Sequence, residues 1–198
     1  VNTPYWGDDG FIYFTDPSRG ISRVPAQGGE IERIAEVGST ASRLSFPHVR
    51  AKWDLALISV WDTIRRVDAV RLSTGERKQV TLGDKGYLLD SGYLVFVTPN
   101  GSLMAAPFDA DGFELRSSPV LVTEGIYMTP NNTPYFSVSG NGHLLFWSGE
   151  PTANELELVW VNREGQVELV QEGWTFNPGS DNLGWALSPD EGRIALKA

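Results

Sequence analysis

The chain contains no cysteine, only two histidines and two methionines, and fewer basic than acidic residues. Without thiols there is no disulfide, no thiolate nucleophile and no cysteine-ligated metal. His48 and His143 alone do not make a zinc site, and no H-E-x-x-H occurs. Sixteen Lys and Arg against 25 Asp and Glu give a formal charge of −9. That balance speaks against a nucleic-acid partner, because phosphate binding needs clustered cations. The pairs Arg65-Arg66 and Arg77-Lys78 stand beside Asp62 and Glu76, and they read as solvated faces rather than a patch. No apolar run approaches the roughly 20 residues that span a bilayer, so no membrane insertion is expected of this segment. The opening VNTPYWGDDG has neither a basic n-region nor an apolar h-region, so no signal peptide is expected in it.

What the chain does have is seven Trp and 21 Gly in 198 residues, with an apolar fraction of 41%. Aromatics among frequent Gly-containing turns suit short strands better than helices. A repeat underlies them. WGDDGFIYF (6–14), LDSGYLVFV (89–97), SGNGHLLFW (139–147) and SPDEGRIAL (188–196) each place Asp, Asn or Ser near a Gly, then an apolar run. A degenerate copy, AKWDLALISV (51–60), puts Trp53 where the Gly is expected. Positions 10, 53, 92, 142 and 192 are then 43, 39, 50 and 50 residues apart, close to the period of a four-stranded propeller blade. Gly supplies the positive φ of a hairpin turn, and the preceding Asp or Asn can bond the turn backbone. The run that follows reads as a strand buried on both faces, as blades packed face to face require.

Each unit also carries an outer hairpin. GISRVPAQGGEIERI (20–34) turns at Gly28-Gly29, VDAVRLSTGERKQVT (67–81) at Thr74-Gly75 and LVWVNREGQVELV (158–170) at Glu164-Gly165. GSLMAAPFDADGFEL (101–115) turns at Asp111-Gly112, with a longer tail before Val120-Leu-Val122. The expected fold is therefore all-β, a partial β-propeller of about four and a half four-stranded blades in one truncated domain, 1–198. Its blades are placed at 3–37, 43–83, 85–124 and 134–172, with a half-blade at 183–198. TPNNTPYF (129–136) is the most obvious inter-blade loop, and helix content should be very small. An array that stops inside a blade leaves open flanks, so self-association of chains through them is expected.

RVPAQGGEIERI, FPHVRAKWDLALI, LSTGERKQV, GSLMAAPFDAD, LVWVNREGQVE and LSPDEGRIA, in this order, resemble TolB-like (PD40, WD40-like) β-propeller repeats. The resemblance is to the propeller on the C-terminal side of certain bacterial transmembrane serine/threonine protein kinases. It implies the fold and a sensing or binding role outside the cytoplasm, periplasmic or extracellular. It carries no catalysis: the chain has no Gly-rich phosphate loop, no Val-Ala-Ile-Lys, no His-Arg-Asp and no Asp-Phe-Gly.

Candidate chemistry is sparse. There is no G-x-S-x-G. Asp8, Asp9, Asp90 and Asp190 could serve a funnel glycosidase, but they recur where the turn itself needs them. DADGFE (109–114) resembles the opening of a calcium loop yet lacks its later ligands and replaces a hairpin turn. His48, in the phrase FPHVR, reads as a structural histidine bonded to a neighbouring backbone, and His143 as exposed. No catalytic residue, metal ligand or cofactor is assigned. Trp147, Trp160 and Trp185 fall on predicted strands as inter-blade core. Trp6, Trp61 and Trp174 lie at strand ends or loops and are the candidate funnel-mouth contacts. The expected function is a non-catalytic sensor or scaffold module for a peptide, protein or small molecule. The alternative is the accessory or catalytic propeller of a hydrolase, either peptidase-gating or a funnel glycosidase.

Overall fold

The continuous apolar runs of this sequence become the middle strands of a row of sheets, of which the second and third are each buried between two neighbours. The computed structural model describes residues 2–16, 20–36, 43–129, 131–148, 156–162, 165–176, 185–187 and 194–196. The first sheet is antiparallel, with strands β1 (Asn2–Trp6), β2 (Phe11–Asp16), β3 (Gly20–Pro25) and β4 (Glu32–Ala35) in that order. The second repeats the plan with β5 (Arg43–Arg50), β6 (Leu55–Trp61), β7 (Arg66–Arg71) and β8 (Arg77–Leu82). In the third, β9 (Asp84–Leu88), β10 (Tyr93–Val97) and β11 (Leu103–Asp109) are followed by a divided outer strand. Its pieces, β12 (Glu114–Leu115) and β13 (Val120–Thr123), both pair with β11. The fourth holds β14 (Phe136–Val138), β15 (Leu144–Trp147) and β16 (Leu156–Val161), with β17 (Val167–Leu169) and β18 (Thr175–Phe176) both on β16. β19 (Trp185–Leu187) and β20 (Ile194–Leu196) form a further antiparallel pair. Among the described residues the one helical element is a 3-10 turn, Ala51–Trp53.

Side chains alternate across a strand, so a strand between two neighbours must be apolar on both faces. β6 shows this directly. Ala56, Ile58 and Val60 pack with Tyr13, Ile21 and Leu44 in the seam toward the first sheet. Leu55 and Leu57 pack with Leu94, Phe96 and Phe108 in the seam toward the third. β10 divides the same way, since Val95 and Val97 join Phe136, Leu144 and Phe146 in the seam toward the fourth sheet. Three apolar seams thus join four sheets in sequence order, and the described sheets do not close into a ring. A fully buried methylene here contributes about 0.8 kcal/mol.

The innermost strands share one layer of side chains. Tyr5, His48, Tyr87 and Ser137 stand opposite Tyr13, Leu57, Val95 and Leu145, each two residues before the turn-closing position. The rings of Tyr5 and His48 lie 5.2 Å apart and those of His48 and Tyr87 4.9 Å, while Tyr87 hydrogen-bonds Ser137 and meets the Phe136 ring at 5.4 Å. His48 is buried, its Nε2 3.4 Å from the Leu88 carbonyl oxygen. Burial, with the Arg50 charge behind it, holds its imidazole down at about 4 against the ordinary 6.5.

The degenerate turn of the second sheet resolves differently from the sequence expectation. Trp53 does not take the glycine position. The residue that does is Asp54, with φ 52 and its N–H on the Ala51 carbonyl, as Gly92 with φ 80 bonds Leu89. Asp is tolerated there because its carboxylate accepts the Ser73 N–H at 2.8 Å and the Ser73 hydroxyl. The SPDEGR turn, including Asp190, lies outside the described residues.

Candidate functional site

The innermost strands run from one end of the sheet stack to the other, and the two ends carry different chemistry. At the end where they finish sit the repeated turns. The Asp90 carboxylate receives Arg50 and Lys52 (2.6 Å) from the second sheet, and its N–H donates to Gly140 of the fourth at 2.8 Å. The Lys52 bond leads in holding the Asp90 carboxyl below the usual range. Asp9 accepts the Phe11 N–H and the Tyr13 hydroxyl. These acids stitch turns.

At the opposite end the innermost strands begin irregularly. Register slips between Asn2 and Tyr5 in β1, between Ser45 and His48 in β5, and between Asp84 and Tyr87 in β9. Each slip inserts a bulge, which re-aims side chains. Two of the bulged residues, Phe46 and Lys85, are non-glycine at φ 50 and φ 51, and Asn132 in the loop before β14 has φ 58. Left-handed backbone at such residues costs about 1–3 kcal/mol each and gathers where structure serves function.

Beside them opens a cleft of about 560 Å³ that none of the three lines: Asn132 follows the lining Asn131, Phe46 packs on the lining Trp61, and Lys85 stands behind Phe46. One wall is Arg43, Trp61 and Arg65; the other is Thr129, Asn131, Thr133 and Tyr135. Arg43, first in β5, faces Trp61, last in β6, and its guanidinium lies 4.6 Å from the indole. The Arg65 guanidinium lies 3.8 Å from the same indole. Arg65 also donates to the Asp84 carboxylate, Asn132 O and Asn131 O, all at 2.6 Å, tying three sheets' loops together. Asp84 is 3% exposed and takes the Lys85 N–H (2.8 Å) and the Trp61 indole N–H (3.4 Å) besides. Lys85 reaches the Phe136 and Pro134 carbonyls of the fourth sheet's inner edge, and burial lowers its ammonium to about 8.

Arg65, Arg66 and Arg77 are therefore not solvated, as their acidic neighbours suggested, whereas Lys78 is exposed and pairs with the exposed Glu114. Arg65, Arg66 and Arg77 are each only 19% exposed, and Arg66 and Arg77 both bond the buried Asp68. The physical reason is that Asp68 and Asp84 are sunk between strands and need cations within reach.

The three sequence-nominated tryptophans do not share one mouth. Trp61 lines the cleft. Trp6, 67% exposed, ends β1 and so lies at the turn end. Trp174, 47% exposed, precedes β18, whose Phe176 pairs with the first residue of β16, so it sits at the cleft end but on the outermost strand. Trp147 is buried, Trp160 is half-buried, and the side chain of Trp185 lies outside the described residues. His143 is exposed. Asp109 accepts the Asp111 N–H and bonds Arg116, the work of a turn. Among the described residues no group of three or more acidic or histidine side chains is placed to hold a metal, and no helix is long and apolar enough to cross a membrane. Sequence reasoning missed Arg43 and Arg65. Proline within an inner strand, Pro4 and Pro47, marks the bulges at this end but neither arginine.

The sequence matches no family model and no curated protein. Solved structures do match. Regucalcin from Agrobacterium tumefaciens, a calcium-binding protein, superposes with a TM-score of 0.65 at 12% identity, over 98% of this chain and 66% of that one. TolB from Acinetobacter baumannii gives 0.61 at 16%, over 94% and 45%. Puromycin hydrolase gives 0.60 at 16%, over 93% and 31%. The chain thus spans between about a third and two thirds of these structures. At such identities the likeness establishes the fold, a β-propeller with TolB among its neighbours.

Proposed function

We propose that this propeller is a non-catalytic binding module that takes its ligand in the Arg43–Trp61–Arg65 cleft. One observation carries the reading: the cleft is lined by two arginines, Arg43 and Arg65, both laid against the Trp61 indole, and faces Thr129, Asn131, Thr133 and Tyr135. A volume of about 560 Å³ suits a small molecule or the end of a peptide. The resemblance to kinase-linked propellers supports a sensing role outside the cytoplasm.

The hydrolase alternative draws on the match to puromycin hydrolase. The carboxyl groups speak for binding instead. A glycosidase acid needs a raised pKa, whereas Asp90, one of the candidate funnel acids, is displaced downward, led by Lys52. Asp84, which bonds the cleft's Arg65 and Trp61, is committed to them.

The test is a thermal-shift screen of small molecules and short peptides against the parent and three variants. Trp61→Ala should lose the stabilising hits, while Trp6→Ala and Trp174→Ala keep them. Hits that survive Trp61→Ala and vanish with Trp6→Ala would move the site to the other end.

A further inference from the structure

The cleft has a sign. The protein carries a formal charge of −9, yet the residues lining this cleft include two arginines and no acid. Lys85 stands behind them, its ammonium 5.4 Å from the Phe46 ring, which in turn lies 6.0 Å from Trp61. Two acids are near. Asp84 is closed off beneath Arg65 and Trp61, and Asp62 is turned to Arg66 at 2.5 Å and to the Ile64 N–H at 3.0 Å. Three cations, Arg43, Arg65 and Lys85, against two carboxylates that are both committed leave a local positive field in an otherwise negative molecule.

The cations are also pre-positioned. Arg43 and Arg65 both lie against the Trp61 indole, and such stacking holds a guanidinium plane in place at little entropic cost to a later ligand. Arg65 is fixed further by Asp84 and the two loop carbonyls. On the facing wall the hydroxyls of Thr129 and Thr133 and the amide of Asn131 can donate. Thr129 is itself held by accepting the Thr133 N–H at 2.9 Å. A rigid, donor-rich, positively charged cleft is complementary to an oxyanion.

We infer that the ligand of this cleft is a small molecule bearing an oxyanion, a carboxylate or a phosphate, held between Arg43 and Arg65 over the Trp61 indole. The inference rests on the binding reading above and names the class of ligand for the same site.

Calorimetric titration at constant ionic strength tests it, with citrate, inorganic phosphate and, as an uncharged control, glucose. Saturable binding of citrate or of phosphate, with glucose silent, is expected; which of the two binds more tightly assigns carboxylate or phosphate. Arg43→Gln should weaken that binding at least tenfold. Arg65→Lys, which keeps the charge that balances Asp84, should weaken it severalfold, and Arg116→Gln on a distant turn should leave it unchanged. Heats that never saturate with either anion, or that ignore Arg43→Gln, overturn the inference. If uncharged hits of the thermal screen still depend on Trp61 in that case, the site stands and only the ligand class falls.

Discussion

The two ends of the sheet stack are built from the same strands but obey different rules. At the turn end the chemistry recurs: Asp9 and Asp90 meet turn amides or neighbouring cations, and Gly10, Gly92 and Gly142 take positive φ. At the cleft end the bulge recurs but its residues differ from sheet to sheet. The equivalent bulge holds Thr3-Pro4 in the first sheet, Phe46-Pro47 in the second and Lys85-Gly86 in the third. Repetition marks what the fold needs of every blade, and departure from it marks what one place in the molecule does alone.

The sharpest way to break the contrast is Arg65→Ala, which strips the buried Asp84 of its cation. It should cost about 3–5 kcal/mol, read as a fall in the urea midpoint; a change below 1 kcal/mol would mean Asp84 has other support. Next is the layer between the ends. His48 titrates at about 4 when folded and 6.5 when unfolded, so the unfolded chain binds more protons between those values. Stability should be complete above pH 6.5 and decline by about 3 kcal/mol as pH falls to 4. His48→Phe, which keeps the ring between Tyr5 and Tyr87, should flatten the profile between pH 5 and 6.5; an unchanged slope there would assign the effect elsewhere. At the turn end Asp54→Ala should cost about 1–2 kcal/mol by losing both Ser73 bonds at a left-handed residue, whereas Asp54→Gly should recover part of it. Smallest is Asp90→Asn. Its carboxylate is 51% exposed, and such pairs contribute about 0–1 kcal/mol, so the melting temperature should hardly move.

Much of this was legible in the sequence because turns and two-sided apolar strands impose fixed residue types. The period of the Gly-containing turns located the inner hairpins, and runs such as Tyr93–Val97 foretold strands packed on both faces. The misplaced glycine equivalent shows the limit: Trp53 was aligned by spacing, but the extra turn residue moved the left-handed position to Asp54. The cleft was far less legible. Arg65 sits in a basic pair whose acidic partner in sequence is Asp62, yet its partner in space is Asp84, 19 residues on and in another sheet. Trp61 was found by lying at a strand end; Arg43 gave no local sign, because only strand pairing places it against that indole.

The most direct measurement of the central claim is a two-dimensional NMR map of the chain recorded with a mixed library of small fragments, acidic, basic and neutral. Shifts confined to Arg43, Trp61, Arg65 and the 129–135 loop are what this account predicts. Shifts confined to Trp6, Asp90 and Gly140, or scattered over both ends alike, would contradict it.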